Sequence, residues 1–358
     1  MTRREFLRLL LYGGGALALS GCARRLERIV KEPTSAPTKS ARNWKPAYVI
    51  LEEQGKFKEK VEQAYSIFER CRLCPRRCGV NRLAGKKGYC RVPGKTAVVY
   101  SYHPHFGEEL PLVGQFGSGT IFFSHCNLRC VFCQNWPIAH EGLGKEVTDE
   151  EIAEMMLHLQ HIGCRNINLV TPTHVMPNIV RATRIAMQEG LRIPLVYNTS
   201  GYDGLEAVKL LDGVVDIYLP DMKFMDGEQS YRYTGGARDY PEVAKKAIKE
   251  MYRQVGNLIT DGNGNALRGL MIRHLVMPNR IAGTKEFVQW VAKELSTDTY
   301  VNVMAQYRVE HRAFEYPLIA RAITVEEFLE AFRWAEEAGL RNLDERSRAI
   351  YSMYRVRS

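Results

Sequence analysis

Acidic residues are scarce in the first hundred positions of this 358-residue chain. Residues 1–100 hold 22 Lys and Arg against 8 Asp and Glu, whereas the remainder holds 28 against 32. The formal net charge of +10 therefore belongs to the front of the chain. A basic front end is typical of a protein that meets a membrane surface, and the remainder does not indicate a nucleic-acid partner. A hydrophobic content of 45% and a charged content of 25% exclude a disordered chain.

The front of the chain also lacks an apolar run long enough to span a membrane. Residues 9–19 are apolar but fall well short of the roughly 20 residues that a transmembrane helix needs. They follow a twin-arginine pattern, Arg3 and Arg4, and precede Leu-Ser-Gly-Cys, which ends at Cys22 and resembles a bacterial lipobox. We therefore predict a twin-arginine signal over residues 1–22 and a linker over residues 23–47.

This signal predicts an exported lipoprotein that is attached to the membrane through its N-terminal signal or a lipid on Cys22. Twin-arginine export moves folded proteins, so it is compatible with a cofactor inserted before export. Two alternatives stay open, namely an uncleaved amphipathic membrane helix and a cytoplasmic location.

Most of the nine cysteines fall into two groups, and one group has three members. Cys126, Cys130 and Cys133 follow residues 120–123, a short apolar run that predicts a buried strand. Structural zinc usually has four protein ligands and a disulfide has two, whereas Cys-x3-Cys-x2-Cys supplies three thiolates on one loop. Three thiolates around a [4Fe–4S] cluster leave one iron open to a substrate or cofactor. The spacing therefore predicts a reactive iron–sulfur site, with three unrelated buried thiols as the alternative.

The second group has four cysteines and lies earlier in the chain. Its members are Cys71, Cys74, Cys78 and Cys90. Four thiolates with intervening glycines fit a tetrahedral site that holds either zinc or a second iron–sulfur cluster. Two disulfides are a third reading for an exported protein. The sequence leaves these three readings open.

Two histidines and two acids, His103, His105, Glu108 and Glu109, lie between this group and the three-cysteine loop. Residues 97–118 read as β-structure and loop. We expect a packing loop, and a metal site is the alternative.

From residue 118 onward, short apolar runs alternate with amphipathic segments. Strands are predicted at residues 120–123, 166–170, 194–198, 214–219, 269–277 and 300–304. Helices are predicted at residues 149–162, 177–188, 205–211, 241–255 and 285–295. Six such repeats predict an α/β fold, an open, partial (β/α)6 TIM-like barrel, rather than a closed eightfold barrel.

The domain boundaries follow from these patterns. We predict a segment over residues 48–117 with a helix at residues 51–70, the Cys-rich module and a β/loop stretch. The barrel covers residues 118–310. A C-terminal helical region, with a packing helix at residues 324–339, covers residues 311–358.

Polar side chains follow most of the predicted strands. They are Thr171, Thr173, His174, Asn198, Thr199, Ser200, Asp221 and Lys223, while Arg273 lies within the fifth strand. Because the carboxyl ends of parallel strands meet at one edge, we expect one concave site that faces the cysteine loop.

The three-cysteine loop resembles the signature of the radical S-adenosylmethionine (radical SAM) superfamily, in which an aromatic residue, here Phe132, precedes the last cysteine. Across residues 66–310 the chain also resembles a branch related to pyruvate formate-lyase activating enzyme. The motifs that carry this resemblance are residues 71–82, 117–135, 166–174, 197–202, 216–223 and 273–278. The resemblance implies the partial (β/α)6 barrel, a [4Fe–4S] cluster on Cys126, Cys130 and Cys133, and S-adenosylmethionine (SAM) as cofactor.

The resemblance also implies contacts with SAM. Related enzymes have Gly-Gly-Glu at the second strand end, near the SAM amino group, where this chain has residues 171–174. Asn198, Thr199 and Ser200 match a polar strand end near the methionyl and ribose groups, and Asp221 and Lys223 match an acidic and basic pair there. Arg273 matches a basic residue that faces the SAM carboxylate.

The implied function is an enzyme that cleaves SAM reductively to a 5′-deoxyadenosyl radical for hydrogen abstraction, with activation of a glycyl-radical enzyme as one specific form. Such an enzyme needs a reductant such as ferredoxin or flavodoxin. The alternative is an exported iron–sulfur protein for electron transfer or assembly without SAM turnover. The export signal and the missing Gly-Gly-Glu favour that alternative. A further reading has the four-cysteine module bind zinc and dock a partner protein.

Overall fold

The computed structural model describes residues 44–355. The signal predicted at residues 1–22, and most of the linker predicted at residues 23–47, lie outside this range and stay predictions. Among the described helices, none combines the length and the apolar character that crossing a bilayer requires.

The described chain begins with two short helices, α1 (Ala47–Glu53) and α2 (Phe57–Ser66). The sequence predicts one helix over residues 51–70, and this prediction is wrong. Gly55 has a φ of +71°, a left-handed conformation that ends α1. The start of α1 is joined to the barrel, because the Ala47 N–H donates to the Asp216 carboxylate at 2.7 Å.

A sheet of nine strands forms the centre of the described residues. The strands are β1 (Ala97–His105), β2 (Ser118–Phe123), β3 (Lys145–Val147), β4 (Ile167–Val170), β5 (Leu195–Thr199), β6 (Ile217–Pro220), β7 (Ile259–Thr260), β8 (Ala266–Leu275) and β9 (Tyr300–Met304). Six of them, β2, β4, β5, β6, β8 and β9, pair in parallel in chain order. β1 extends the sheet antiparallel to β2, β3 pairs with β1, and β7 pairs with β8. The predicted open barrel of six parallel strands is confirmed.

Helices cover the outside of this barrel. The remaining described helices are α3 (Leu110–Val113), α4 (Asp149–His161), α5 (Met176–Gln188), α6 (Leu205–Leu210), α7 (Gly227–Tyr233), α8 (Tyr240–Val255), α9 (Thr284–Glu294), α10 (Val325–Glu337) and α11 (Glu345–Arg355). Thr148 and Thr324 each form a capping box with the glutamate three residues on, which fixes where α4 and α10 begin. The helices predicted between the strands are present because their apolar stripes pack on the sheet.

An apolar plug fills the barrel toward the amino ends of its strands. Leu112, from α3, packs there with side chains from four strands: Val196, Ile217, Leu219, Met271 and Tyr300. The plug leaves the polar carboxyl ends of the strands as the place for a functional site.

Arg82 joins the cysteine-rich segment to the barrel. Its side chain is fully buried and lies 4.2 Å from the centre of the Phe68 ring. The guanidinium donates to the carbonyl oxygens of Val92 at 3.1 Å, Pro93 at 2.9 Å and His174 at 2.7 Å. One side chain therefore satisfies three carbonyl groups from two parts of the chain.

We predict that Arg82→Leu lowers the free energy of unfolding by about 3 kcal/mol or more, because three buried carbonyl acceptors lose their donor. Arg70→Leu, at an exposed position in the same segment, is the matched control and should stay within about 0.5 kcal/mol of the parent. Anaerobic denaturant unfolding of the three proteins measures this. Equal stability of Arg82→Leu and the parent would contradict the proposal that Arg82 holds the cysteine-rich segment against the barrel.

Candidate active site

The three-cysteine loop leaves the carboxyl end of β2, the first strand of the barrel. It carries Cys126, Cys130 and Cys133. His125 and Arg129 have φ values of +70° and +58°, and these left-handed turns fold the loop back on itself. The loop is held from outside, since the Val131 N–H donates to the Tyr233 carbonyl at 3.0 Å. One tight and supported loop therefore presents all three thiols.

Burial dominates the chemistry of two of these thiols, Cys130 and Cys133. It raises the pKa of Cys130 well above its usual range, and burial followed by the nearby Cys126 raises the pKa of Cys133 to about 12. The Lys223 ammonium acts in the opposite direction on both thiols. Cysteine binds iron as thiolate, so a positive charge close to the loop favours ligation. Three thiols on one loop beside a cation, with Cys130 buried and Cys126 and Cys133 half-buried, fit a [4Fe–4S] cluster with three protein ligands.

The nearby cation is one half of an ion pair at the end of β6. Lys223 Nζ lies 2.6 Å from the Asp221 carboxylate. Burial opposes the charge on Lys223, but Asp221 and then Cys130 outweigh it and raise the pKa of the lysine. The Tyr240 hydroxyl fixes this strand end, because it accepts from the Lys223 N–H and lies 2.8 and 2.9 Å from the carbonyl oxygens of Ser200 and Asp221. The structure thus brings Asp221 and Lys223 to the cysteine loop.

Two predicted threonines belong to a buried network around Asp203. The carboxylate of Asp203 accepts hydrogen bonds from Thr199 at 2.5 Å, Thr173 at 2.8 Å and Tyr197 at 3.1 Å. Burial raises the pKa of Asp203, and these three donors offset part of that effect. Because their protons are used, the two threonine hydroxyls can only accept from a ligand. The strand patterns do not single out Asp203.

The segment after β4 supports the cysteine loop. Thr171 has a φ of +60°, so the chain turns sharply where β4 ends. His174 Nε2 lies 2.8 Å from the Ser124 carbonyl oxygen, which only accepts, so Nε2 is the donor. Burial, followed by the charge of Arg82, lowers the pKa of His174 to about 3, and the ring is therefore neutral. His174 therefore links the segment that follows β4 to the segment that follows β2.

Asn198 and Ser200 keep polar groups available at the end of β5. Within the described residues, Ser200 Oγ is buried and has no hydrogen-bond partner. Asn198 is 7% exposed. Phe132 packs nearby on the cysteine loop, with ring centres 5.9 Å from Phe224 and 6.2 Å from Tyr307. A buried hydroxyl without a partner is costly, so Ser200 fits a site that receives a ligand.

Arg273 has carboxylate partners of its own. Its guanidinium pairs with Glu108, and its Nε donates to Glu109 at 2.7 Å. Asn302 also donates to Glu109, at 2.8 Å. Burial opposes the charge of Arg273, but Glu108 and Glu109 outweigh it and hold its pKa well above the usual range. The SAM carboxylate that the resemblance places at Arg273 would therefore compete with two protein carboxylates.

The histidines near these glutamates face a different group. His103 and His105 contact Phe122, with ring centres 5.5 and 5.8 Å from it. Glu108 and Glu109 are buried and turn to the barrel interior. The structure therefore separates the two histidines from the two acids.

The four-cysteine module lies between α2 and β1. Burial raises the pKa of Cys74 to about 12, and burial also raises the pKa of Cys90, with Arg82 acting in the opposite direction. A Cβ on Gly88 would lie 2.9 Å from Cys78 Sγ, so the chain passes the cysteine as closely as only glycine allows. The cysteines of the module also act on one another, since Cys71 contributes to raising the pKa of both Cys74 and Cys90. The structure gathers the predicted cysteines in one module.

The eight described cysteines are all free thiols. Among the described residues, no group of three or more His, Cys, Asp and Glu side chains has the arrangement that holds a single metal ion. A cluster of four irons is wider than one ion, so its thiolate ligands lie farther apart.

An aromatic group beside the cysteine loop has no counterpart in the sequence patterns. His140 and His311 have ring centres 4.4 Å apart, and Trp136 stacks on His311 at 5.4 Å. Burial and then His311 lower the pKa of His140 to about 4, while a hydrogen bond to the Cys130 backbone opposes this. His311 follows β9, so only the tertiary fold brings it to the cysteines.

Comparison with known proteins adds four findings. Residues 120–262 match the radical SAM superfamily. The chain is 36% identical over 291 residues to uncharacterized protein MJ0674 of Methanocaldococcus jannaschii, and this alignment covers 78% of each protein. It is 24% identical over 194 residues to pyruvate formate-lyase-activating enzyme of Clostridium pasteurianum, and this alignment covers 52% of this chain and 74% of that enzyme. The solved structure of methylornithine synthase (PylB) aligns with a TM-score of 0.40 at 13% identity, over 85% of this chain and 83% of that one.

The matched range starts in β2 and includes the cysteine loop and the ends of β4, β5 and β6. The superfamily uses a [4Fe–4S] cluster and SAM, and the three thiols on the loop beside Lys223 fit that cluster. The chain belongs to the radical SAM superfamily.

Proposed function

We propose that this protein is a SAM-cleaving enzyme that starts hydrogen abstraction from a protein or small-molecule substrate. The observation that supports this most is the placement of three thiols on one loop, with Cys130 buried, next to Lys223 and the strand ends of an open barrel. When bound, the cluster and SAM supply the one-electron cleavage of the SAM sulfonium. Cys126, Cys130 and Cys133 would hold the cluster.

The strand ends give the chain its means to orient SAM. Ser200 Oγ is a buried group without a partner in the described residues, and Asn198 lies beside it on the same strand end. Thr173 and Thr199 offer acceptors only, because their protons are donated to Asp203. We infer that Asn198 and Ser200 donate to SAM, whereas Asp203 positions the two threonines. Phe132 would exclude water from the cluster, since it packs against Phe224 and Tyr307.

A protein substrate of the glycyl-radical type is our finer proposal. It is supported by the partial similarity to a pyruvate formate-lyase-activating enzyme and by exposed apolar side chains near the cysteine loop. The segment after β9 contacts that loop, because the Arg312 N–H donates to the Val131 carbonyl at 2.9 Å. Phe314, two residues on, is 67% exposed, and Leu318 is 47% exposed. A protein chain bound there would cover both side chains.

A second candidate is an iron–sulfur protein for electron transfer or assembly that does not turn over SAM. The pairing of Arg273 with two glutamates favours it, because the residue expected at the SAM carboxylate is already neutralised. The neutral, internally bonded His174 at the place of Gly-Gly-Glu favours it as well.

Other parts of the proposal concern location and cofactors. We propose membrane attachment through the N-terminal signal, with a reductant such as ferredoxin or flavodoxin as the electron source. We also propose that the four-cysteine module holds a second thiolate-bound centre, an iron–sulfur cluster or zinc.

Cys130→Ala should abolish both iron at the SAM cluster and 5′-deoxyadenosine formation, because only two ligands stay on the loop. Cys164→Ala is the matched control, since Cys164 is buried, precedes β4 at the opposite end of the barrel and should keep both properties. Anaerobic reconstitution, iron analysis and product assay with SAM and dithionite measure this. Retention of both properties in Cys130→Ala would refute the enzyme, whereas iron without 5′-deoxyadenosine in the parent would favour the second candidate.

Lys223→Met should lower the iron bound by the cysteine loop and slow 5′-deoxyadenosine formation by about 10- to 100-fold, because the charge that favours thiolate ligation is lost. Lys223→Arg keeps that charge and should restore most of the rate. Lys246→Met, on the exposed face of α8, should leave the rate unchanged. Equal rates for Lys223→Met and the parent would show that the ion pair has only a structural role.

Cys74→Ala should remove the metal of the four-cysteine module while Cys126, Cys130 and Cys133 keep theirs. If the module holds a cluster, iron per chain should fall from about eight to about four, and if it holds zinc, zinc should fall instead. Iron and zinc analysis of the anaerobically purified full chain decides between the two. An unchanged metal content would contradict a metal centre in the module.

A further inference from the structure

The surface of the four-cysteine module carries positive charge without any acid in its own sequence. Residues 71–95 contain eight Lys and Arg and no Asp or Glu. Arg82 and Arg76 serve internal contacts, and Arg72 pairs with Glu206. Lys86, Lys87 and Arg91 are exposed and form no ion pair within the described residues. We call these three side chains, together with Arg129, the basic face.

The basic face lies beside the SAM-cluster loop. Lys86, Lys87 and Arg91 flank Tyr89 along the chain of the module, and the Arg91 N–H donates to the Gly88 carbonyl oxygen at 3.0 Å. The Arg129 guanidinium lies 4.5 Å from the centre of the Tyr89 ring and donates to the Tyr89 carbonyl at 2.9 Å. The basic face thus spans the module and the cysteine loop.

Asn127 connects the two cysteine groups beneath this face. Its side-chain oxygen lies 3.9 Å from Cys126 Sγ, and its side-chain amide donates to the Tyr202 carbonyl oxygen at 2.7 Å. Arg76 Nε donates to the Asn127 carbonyl at 3.0 Å. Covalent and hydrogen bonds therefore form a continuous path from the module to the first cysteine of the cluster loop.

We propose that the basic face docks the one-electron donor, a small protein with a carboxylate-rich surface. This inference rests on the proposed function, which requires an external electron. In the step, the donor is oxidised by one electron and the cluster on the cysteine loop is reduced by one, with no bond made or broken. Unpaired cations above a buried redox site attract an acidic partner and orient its exposed redox centre toward the loop.

Neutralising the module's thiolates does not account for the basic face. Arg82 already acts on Cys90 from a fully buried position. Lys86 and Lys87 point to solvent on the same loop, where water screens their effect on the interior. Their charge is therefore available to a partner.

The test is the double variant Lys86→Glu/Lys87→Glu of the full, cluster-loaded chain. With reduced flavodoxin of acidic surface as donor, the rate of 5′-deoxyadenosine formation at low donor concentration and low salt should fall by about 10- to 100-fold. With dithionite, a small donor that needs no docking, the rate should be unchanged. The matched control is Lys246→Glu/Lys293→Glu, which makes the same change in net charge on the exposed faces of α8 and α9 and should keep the flavodoxin rate.

Four outcomes overturn the proposal, and the fourth applies where the parent is inactive. An equal loss in both double variants assigns the effect to net charge, and a parallel loss with dithionite assigns it to damage of the site. Loss of binding to phosphatidylglycerol vesicles with an unchanged flavodoxin rate assigns the face to a membrane. If the parent forms no 5′-deoxyadenosine with dithionite, the proposed function fails. Equilibrium binding of flavodoxin, measured without SAM, then tests the role of the basic face on its own. Weaker binding by Lys86→Glu/Lys87→Glu alone supports the basic face, and equal binding refutes it.

Discussion

The structure depends on holding three thiols on one short loop, with Cys130 buried and Cys126 and Cys133 half-buried. A buried thiol resists ionisation, and burial does raise the pKa of Cys130 and Cys133. The positive charge of Lys223 opposes this effect on both thiols, and the ion pair with Asp221 keeps Lys223 charged. The ends of β2 and β6 must therefore lie together, and the parallel order of the barrel strands satisfies this requirement.

The same low-dielectric environment decides which polar residues stay available to a ligand. Asp203 and the Glu108–Glu109 pair are buried acids, and each must find donors inside the protein. Asp203 takes the protons of Thr173 and Thr199, and the glutamates take the charge of Arg273. Among the described residues at these strand ends, Ser200 Oγ and His174 Nδ1 are buried polar atoms without a hydrogen-bond partner, so the groups left for a ligand are few.

Periodic patterns in the sequence predict the six parallel strands and the helices between them, because alternating burial is a local property of each segment. The residues at the strand ends were predicted too, since parallel strands share one edge. Their partners were not. His311 reaches the site through a tertiary contact that no spacing encodes, whereas Asp203 lies only four residues after Thr199 and no strand pattern marks it. The left-handed Gly55 divides a segment that reads as one helix. The SAM contacts stay predictions.

The position of the four-cysteine module links two roles that are separable in principle. Arg76 donates to the carbonyl oxygens of Asn127 and Gly235, and its guanidinium lies 4.2 Å from the centre of the Tyr89 ring. Any centre bound by the module would therefore stiffen the backbone next to Cys126, whatever its redox properties. A redox-inert metal would act through this rigidity alone, whereas an iron–sulfur cluster would add a second redox centre to the electron-transfer path. Because the basic face touches both the module and the loop, docking does not depend on which of these centres is present.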